Sequence, residues 1–396
     1  MKSASSPMHF PVIGFVVLSV FVIAAGCASE SVAPASPEAA PADPGVPSFK
    51  TADYGIRLTT VAGGLTYPYC FVFLPDGSIL LTEMGGSLRL IRDGVLAPEP
   101  IAGIPAVHSN PPSHGLMDII LHPNYAQNKW VYFTYNKPGE KGSTQAVARG
   151  VFDGTKLTEV KDIFVADAWA KTNGRQNSRI VFGRDGMLYM TASVGGDILR
   201  AQNMNDHAGK VLRIRDDGTV PPDNPYVGRS GHRPEIFTNG HGNIHGLAIH
   251  PVTGDLWGME HGDEANILRA GGNYGWPFSQ QGQGTSVERL PMPPNLKLTD
   301  AVLSWNPQRR VSGIAFYTGD TFPNWKNNMF LGTLNEQEVH RVVLGPDNKE
   351  GLHEDLFTQT GLQVRDVREG PDGRIYFTSF EEAGPGRLLR IEPEGS

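Results

Sequence analysis

The chain has 396 residues, of which 39% are hydrophobic and 19% charged, and it contains 47 glycines and 31 prolines. This composition is typical of a protein rich in turns and leaves little room for long helices. The formal net charge of -7 and the absence of any lysine or arginine run argue against a nucleic-acid partner. A small molecule or a metal ion fits the composition better as a ligand.

The first 50 residues have the pattern of an export signal followed by a tether. An apolar run from Phe10 to Ala25 is short for a membrane span and has the length of a signal-peptide core. It leads into Ala24-Ala25-Gly26-Cys27, which resembles the lipobox of bacterial lipoproteins; an ordinary secretory signal that happens to contain a cysteine is the alternative. We predict a signal peptide over residues 1–26, lipidation of Cys27, and a tether rich in Ala, Pro and Ser over residues 27–50.

This N-terminus predicts export to the periplasm or the cell surface. Because Ala28 rather than aspartate follows Cys27, the outer membrane is favoured over the inner one. The lipid anchor is then the expected contact with the membrane.

From residue 51 onward short strands follow one another, and six pairs of them have the pattern of hairpins. In the first pair, Phe71–Leu74 and Ser78–Thr82 flank the turn Pro75-Asp76-Gly77. The other five pairs are Ile119–Pro123 with Val131–Tyr135, Ile180–Phe182 with Met187–Thr191, Leu247–His250 with Leu256–Met259, Ile314–Tyr317 with Met329–Gly332, and Val367–Gly370 with Arg374–Thr378.

These hairpins recur about every 55–60 residues, close to the length of a propeller blade. A β-sandwich would need far fewer residues, and a parallel α/β fold would need helical crossovers that the pattern lacks. We therefore predict an all-β fold over residues 51–396, a six-bladed β-propeller of four-stranded blades.

Residues 234–277 have the greatest concentration of polar loop residues. Gly240–Gly246 is too rich in glycine for a helix and reads as a loop whose backbone approaches a ligand. After an intervening hairpin, His261–Glu264 forms a second polar loop. Both loops could face one site, although solvated loop histidines are the common alternative.

At this point the residues resemble a known family, the soluble quinoprotein glucose/sorbosone dehydrogenases, also called aldose sugar dehydrogenases. The resemblance runs from Tyr54 to Pro393. Its markers include Phe73–Gly77, Gly115–Ile119, Arg179–Phe182, His207–Ile214, Val220–Tyr226, Gly240-His241, Asn243, Glu260–Gly262, Asp263–Asn266, Gly272–Pro277 and Phe316–Asp320. The resemblance implies a six-bladed propeller that uses pyrroloquinoline quinone (PQQ) and calcium to oxidise a sugar or another alcohol.

The chain departs from the family pattern at the positions of the site itself. The family's histidine base corresponds to Arg175, which stays protonated and cannot take a proton. Ser113 and His245 stand where the family has glutamine. Gly242 and Gln363 stand where it has arginines that contact PQQ, and the proline of its Gly-Pro calcium loop is missing after Gly262.

The remaining residues supply candidates for each role. Histidine titrates in the useful range, so His114, His241 and His245 are candidate replacement bases. Arg175, Asn243 and Arg365 are candidate PQQ ligands; surface ion pairs are the alternative for the two arginines. Gly262, Asp263 and Glu264 are candidate calcium ligands, whereas hydrogen bonds from the two acids to loop amides are the alternative.

Three functions remain open on the sequence. The first is an exported PQQ- and calcium-dependent dehydrogenase that acts on a small sugar or alcohol and passes electrons to an acceptor that the sequence does not identify. The second is a propeller that has lost PQQ and serves as a sugar- or protein-binding lipoprotein. The third is a calcium-dependent hydrolase of lactonase type that uses a metal-bound water.

Overall fold

The computed structural model describes residues 48–171, 175–261, 263–279, 290–305, 309–334, 338–358, 360–381 and 384–394. The predicted signal peptide, all but the last three residues of the predicted tether, Cys27 and Gly262 lie outside these ranges. Within them, no helix combines the length and the apolar character needed to cross a membrane.

The described strands form six antiparallel sheets. The chain enters through β1 (Phe49–Lys50) and β2 (Gly55–Leu65). Five blades follow in chain order. The first blade contains β3 (Pro68–Phe73), β4 (Ile79–Glu83), β5 (Ser87–Arg92) and β6 (Val95–Leu96), and the second contains β7 (Leu116–Leu121), β8 (Trp130–Gly139), β9 (Gly142–Phe152) and β10 (Leu157–Val165). The third contains β11 (Ile180–Phe182), β12 (Leu188–Ala192), β13 (Lys210–Ile214) and β14 (Ile236–Asn239), and the fourth contains β15 (Ile244–Ile249), β16 (Leu256–Glu260), β17 (Glu264–Ile267) and β18 (Leu303–Ser304). The fifth contains β19 (Val311–Phe316), β20 (Met329–Thr333), β21 (Val339–Leu344) and β22 (Glu350–Leu356).

The sixth blade joins the two ends of the described chain. It consists of β23 (Gln363–Glu369), β24 (Ile375–Glu381) and β25 (Gly384–Pro393), and β2 pairs with β25 as its fourth strand. The first strands of neighbouring blades contact one another around a closed ring, from β3 through β7, β11, β15, β19 and β23 back to β3. The predicted six-bladed β-propeller of four-stranded blades is therefore confirmed. Within the described ranges, helix is limited to α1 (Tyr125–Asn128) and two 3-10 helices, Ile198–Gln202 and Pro323–Trp325.

Each of the six predicted hairpins forms the first two strands of a blade, and Asp-Gly turns explain three of them. Gly77, Gly186 and Gly373 have φ angles of 85°, 75° and 66°, which glycine adopts without a steric penalty. In the first turn, the Leu74 N–H donates to the Ser78 carbonyl at 2.7 Å, and equivalent bonds close the other two. The repeated turn chemistry thus sets the register of these hairpins.

Neighbouring blades share apolar cores. Leu80 of the first blade and Leu116 and Phe133 of the second belong to one cluster, and all three are fully buried. Burial of each such side chain contributes about 1.5–3 kcal/mol. The ring of blades therefore holds the first strands rigidly around the axis, where the candidate site lies.

Candidate functional site

A cavity of about 520 Å³ opens at one end of the ring of first strands. Its described lining residues are Tyr67, Pro112, Arg175, Asn177, His245, Arg310, Leu334, Gln363, Arg365 and Phe380. Every blade contributes a residue that lies in or just before its first strand, because these strands enter the ring at the same end. The propeller thus brings together residues that are up to about 300 positions apart in the chain.

The cavity is positively charged. Arg175, Arg310 and Arg365 line it, and none of the ten described lining residues is acidic. Among the described residues, none of the three arginines forms an ion pair with a carboxylate. The positive charge of this lining is therefore complementary to a ligand that carries several negative charges.

Arg365 is the most confined of the three arginines. It is 5% exposed, and its Nε has no hydrogen-bond partner. Burial lowers its pKa to about 10, although the ring of Tyr69 lies 5.5 Å from the guanidinium carbon. A buried guanidinium that has no carboxylate partner among the described residues is costly to the folded protein, which makes Arg365 a candidate ligand-binding residue.

His245 is the titratable lining residue with the most defined contacts. It is 3% exposed, and its Nε2 lies 2.7 Å from Nδ2 of Asn177 and 2.9 Å from Nδ2 of Asn243. Its Nδ1 is buried and has no partner. Burial first, then the nearby His261 and Arg365, hold the pKa of His245 well below 6.5, so the ring is neutral at pH 7.

The two asparagines at Nε2 govern the tautomer of His245. As placed, their amide nitrogens face Nε2, which then accepts a hydrogen bond and leaves the proton on Nδ1. The opposite tautomer, with a lone pair on Nδ1, requires Asn177 or Asn243 to turn its amide over so that Nε2–H donates to Oδ1. That second tautomer is the one in which Nδ1 can take a proton as a general base.

His261 extends this side of the cavity. Its ring stacks on His245 with 4.8 Å between the centroids, and its Nε2 lies 3.2 Å from Nη1 of Arg175. Burial first, followed by Arg175, Arg310 and Arg365, lowers the pKa of His261 to about 4. Two stacked neutral imidazoles therefore face three guanidinium groups.

These depressed pKa values predict an acid-sensitive fold. A histidine with a pKa near 6.5 in the unfolded chain and near 4 in the folded protein binds its proton preferentially in the unfolded state between those values. Above pH 6.5, His261 should cause no change in the free energy of unfolding with pH. As the pH drops from 6.5 towards 4, protonation of this histidine in the unfolded chain should lower the free energy of unfolding by about 1 kcal/mol per pH unit. Urea unfolding at a series of pH values measures this slope.

The His261→Gln variant isolates the contribution of that ring. Its unfolding free energy should depend less steeply on pH between 6.5 and 4 than that of the wild type, while His232→Gln, which removes a histidine outside the cavity, should keep the wild-type slope. Equal slopes in all three proteins would contradict the assignment.

A buried ion network lies beneath the cavity. Asp366 accepts hydrogen bonds from Arg179 at 2.7 Å and from Arg368 at 2.8 Å, and Asp118 accepts one from Arg368 at 2.6 Å. The Cys70 thiol also lies 2.8 Å from Asp118, and burial raises its pKa well above the ordinary value, so it stays protonated. These ion pairs thus connect the first strands of three blades, because the four charged residues come from β7, β23 and the segment before β11.

Arg179 links this network to the cavity. Its Nε donates to the backbone carbonyl of His245 at 2.6 Å and its Nη2 to that of Arg365 at 3.0 Å. Both bonds hold the backbone of a cavity residue. Arg179 is therefore a positioning residue for the candidate base and for the confined arginine.

The structure does not bring the other two candidate bases to the cavity lining. His241 is 1% exposed, and both its nitrogens are engaged, Nδ1 with Glu260 at 2.6 Å and Nε2 with Thr238 at 2.8 Å. His114 is buried and stacks on His108, with 4.8 Å between ring centroids. Of the three candidates, His245 alone is among the described lining residues.

The candidate ligands of PQQ and calcium divide in a similar way. Arg175 and Arg365 line the cavity. Asn243 is not among the described lining residues, but its side chain contacts the ring of His245, which is. The Asp263 carboxylate accepts the backbone N–H groups of Arg309 at 2.7 Å and Val311 at 3.1 Å, which is the loop-amide role that the sequence left as the alternative.

Glu264 is buried at the start of β17. Calcium binding at Asp263 and Glu264 stays a prediction, and Gly262 lies outside the described residues.

The structure explains one departure from the family pattern. A Cβ at Gly242 would lie 3.1–3.2 Å from the indole ring of Trp276. An arginine side chain there requires Trp276 to move. Arg310, one residue before β19, places a positive charge in the cavity from another blade.

Sequence reasoning missed Arg310, Asn177, Tyr67 and Phe380 as lining residues. The first three could have been found from the predicted strands alone, since each lies in the few residues before a blade's first strand. Phe380 lies near the end of β24, so only the folded sheet reveals that it reaches the same cavity.

Comparison with known proteins finds one matching family and several similar proteins. The family described as Glucose / Sorbosone dehydrogenase matches residues 65–390. A Synechocystis protein described as uncharacterized, slr1608, is 38% identical over 85% of this chain and 86% of its own. Aldose sugar dehydrogenase YliI of Escherichia coli is 33% identical over 85% of this chain and 93% of its own.

Two further similarities concern the cofactor and the fold. Quinoprotein glucose dehydrogenase B of Acinetobacter calcoaceticus is 27% identical over 82% of this chain and 85% of its own. The crystal structure of the soluble aldose sugar dehydrogenase of Escherichia coli in its apo-form superposes with a TM-score of 0.79 at 31% identity, over 86% of this chain and all of that one. The chain therefore belongs to the glucose/sorbosone dehydrogenase family.

Proposed function

We propose that this protein is a PQQ-dependent dehydrogenase that oxidises the CH–OH group of a sugar or another alcohol, with calcium as a further cofactor. The single observation that carries the proposal is the cavity in which Arg175, Arg310 and Arg365 surround the neutral His245 without any described acidic residue. Family membership supports the same chemistry.

The cavity residues fit the chemistry of PQQ, a planar quinone with three carboxylates. Three arginines that have no carboxylate partner in the part of the chain that the structure describes match the negative charge, and the Nε of Arg365 is buried without a described hydrogen-bond partner. Phe380 and Tyr67 provide apolar surface for a planar ring system. Arg175, Arg310 and Arg365 would therefore hold the carboxylates, which is the role that the sequence assigned to two of them.

When bound, PQQ supplies the group that accepts the two electrons and the hydrogen of the alcohol carbon. The chain itself supplies the base. His245 takes the proton of the substrate hydroxyl on Nδ1, in the tautomer in which Nε2–H donates to Oδ1 of Asn177 or Asn243 after that amide has turned over. The stacked His261 limits rotation of the ring. The arginines orient the bound anion.

Reconstitution tests the proposal directly. The full-length protein is titrated with PQQ in the presence and absence of calcium, and the quinone absorbance and dye reduction with a panel of aldoses are recorded. Bound quinone that a sugar reduces supports the dehydrogenase, and a requirement for calcium supports the second cofactor. No binding at micromolar PQQ would overturn the proposal and favour a binding protein or a calcium-dependent hydrolase.

Replacement of Arg365 by glutamine should weaken PQQ binding by about 10–100-fold, since one charge-assisted hydrogen bond to a carboxylate is lost. The same change should raise the melting temperature of the cofactor-free protein, because it removes a buried charge without a carboxylate partner. Fluorescence titration and thermal unfolding measure the two effects.

A surface arginine serves as the control. Arg269→Gln removes a guanidinium that is 60% exposed and paired with Asp255, and it should change neither quantity. Unchanged PQQ affinity in Arg365→Gln would exclude this arginine from the cofactor site.

We also propose that the chain is exported and anchored through an acylated Cys27, on the strength of the apolar run and the cysteine that follows it. Fatty-acid labelling of the wild type and of Cys27→Ser tests this. Equal labelling of the two proteins would contradict it.

A further inference from the structure

Three metal-ligating side chains meet on the outer strands of the fifth blade, away from the strands that line the cavity. His340 lies on β21, and His353 and Asp355 lie on β22. His340 is directly opposite Asp355 in the ladder, and His353 is two residues from Asp355. Opposite and alternate positions share one face of a sheet, so all three side chains project together.

The ligand atoms form a tight triangle. Nδ1 of His340 lies 2.7 Å from Oδ1 of Asp355 and 2.8 Å from Nε2 of His353, and Nε2 of His353 lies 3.1 Å from Oδ1 of Asp355. For metal–ligand bonds of about 2.0–2.1 Å, adjacent ligands are about 2.9 Å apart in an octahedron and about 3.4 Å apart in a tetrahedron. The three atoms are thus close enough together to contact one ion, and their present separations are those of hydrogen bonds between the metal-free side chains.

Each histidine also has a carboxylate behind it. The ring nitrogens that face away from the triangle lie near glutamates: Nε2 of His340 is 3.4 Å from Glu338, and Nδ1 of His353 is 3.2 Å from Glu350. Trp305 in turn donates its indole N–H to Glu350 at 2.8 Å. A carboxylate hydrogen-bonded to the outer nitrogen of a ligating histidine selects the tautomer and raises its basicity, and Glu350 is placed to do this for His353.

Arg309 shows that the triangle attracts a cation. Its Nη1 lies 3.1 Å from both Nδ1 of His340 and Oδ1 of Asp355. The guanidinium thus approaches two of the three atoms that a metal ion would contact. Its side chain is 21% exposed, and those of His353 and Asp355 are 14% and 40% exposed, so the arginine can turn outward and an ion can enter from solvent.

We propose that His340, His353 and Asp355 form a binding site for a divalent transition-metal ion, such as Zn²⁺, on the outer strands of the fifth blade. Two imidazoles and one carboxylate select this class of ion over calcium and magnesium, which prefer an all-oxygen set. The bound ion joins β21 to β22, displaces the guanidinium of Arg309, and stabilises the outer part of the blade. This site is independent of the proposed dehydrogenase chemistry.

The test uses the full-length protein after removal of metals with a chelator and desalting. Zn²⁺ is titrated by calorimetry, and Co²⁺ is titrated by its visible absorption, which reports ligand number and geometry. We expect one ion per chain at this site and a rise in melting temperature with Zn²⁺. His353→Ala and Asp355→Asn should each weaken Zn²⁺ binding by at least about ten-fold.

Two further variants sharpen the result. Arg309→Gln removes the competing cation and should tighten Zn²⁺ binding by about ten-fold, whereas a merely structural hydrogen-bond cluster would lose stability without gaining affinity. His232→Ala removes a histidine elsewhere and should bind Zn²⁺ as the wild type does. Because His353 and Asp355 are partly exposed, their variants should fold, which equal metal-free melting temperatures would verify.

Either of two outcomes overturns the proposal. One is the absence of a stoichiometric Zn²⁺ or Co²⁺ site in the wild type. The other is unchanged affinity in both His353→Ala and Asp355→Asn, which would show that the ion binds at other histidines.

Discussion

Replacement of His245 by glutamine should lower the turnover of the PQQ-loaded protein by about 10²–10⁴-fold, the usual contribution of a positioned general base. PQQ affinity should change little, because glutamine keeps the volume and polarity of the ring and leaves the three cavity arginines in place. The loss should therefore appear in kcat rather than in cofactor binding. Steady-state kinetics on a saturating aldose, with PQQ occupancy measured in parallel, separate the two.

The pH dependence provides a second signature of the same base. Because the pKa of His245 is held well below 6.5, the ring remains unprotonated through neutral pH. The wild-type rate should stay level as the pH falls to 6.5 and should decline only in more acidic solution, and an anion bound between the arginines moves this decline towards higher pH. The residual rate of His245→Gln should not show this decline at acidic pH.

An exchange of positions tests the role more sharply. In the pattern that the family resemblance implies, a histidine base stands at position 175 and a glutamine at position 245. Arg175 lies 3.2 Å from His261, which stacks on His245, so position 175 borders the same side of the cavity. Arg175→His in the His245→Gln background should restore part of the turnover.

The control for this experiment is His232→Gln, which should retain the wild-type rate. Full activity of PQQ-loaded His245→Gln would show that the base lies elsewhere, and His261→Gln would then be the next variant to examine.

The second large effect concerns the ion network beneath the cavity. Asp366→Asn should destabilise the protein by about 3–5 kcal/mol, the cost of removing one partner from a buried ion pair. Asp366 is 3% exposed and accepts hydrogen bonds from Arg179 and Arg368. Asparagine keeps the shape but leaves the buried guanidinium of Arg179 and the partly exposed one of Arg368 with the single carboxylate of Asp118. Equilibrium unfolding in urea measures the change.

The same variant should also weaken PQQ binding, because Arg179 holds the backbone of His245 and Arg365. Asp320→Asn is the matched control: Asp320 is 92% exposed and pairs with Lys326, so its loss should cost no more than about 1 kcal/mol. If Asp366→Asn lowered the free energy of unfolding by no more than Asp320→Asn does, the ion network would not be important for the stability of the propeller.

The fold could be predicted because its signals are local. Alternating strands and Asp-Gly turns, such as the one at Gly77, identify each hairpin from a few adjacent residues, and their spacing indicates the number of blades. The partner of β2 was not predictable in this way, since β2 pairs with β25, more than 300 residues later in the chain.

The site was only partly predictable, because its geometry depends on contacts between residues that are distant in the chain. The sequence identified His245, Arg175 and Arg365 as candidates, and the fold brings them into one cavity. It ranked His241 equally with His245, because both lie on one glycine-rich loop. What separates them is long-range pairing: Glu260 and Thr238 occupy both nitrogens of His241, whereas the Nδ1 of His245 remains unpaired.

The sequence by itself determined the propeller, the family and the departures at positions 113, 175, 242 and 363, because turn chemistry, strand alternation and motif order are properties of neighbouring residues. The tertiary structure alone decided which side chains share the cavity, that Arg310 joins them, and that Arg365 has no carboxylate partner among the described residues. Burial, hydrogen-bond partners and pKa values depend on contacts between different blades, and such contacts exist only once the ring has closed.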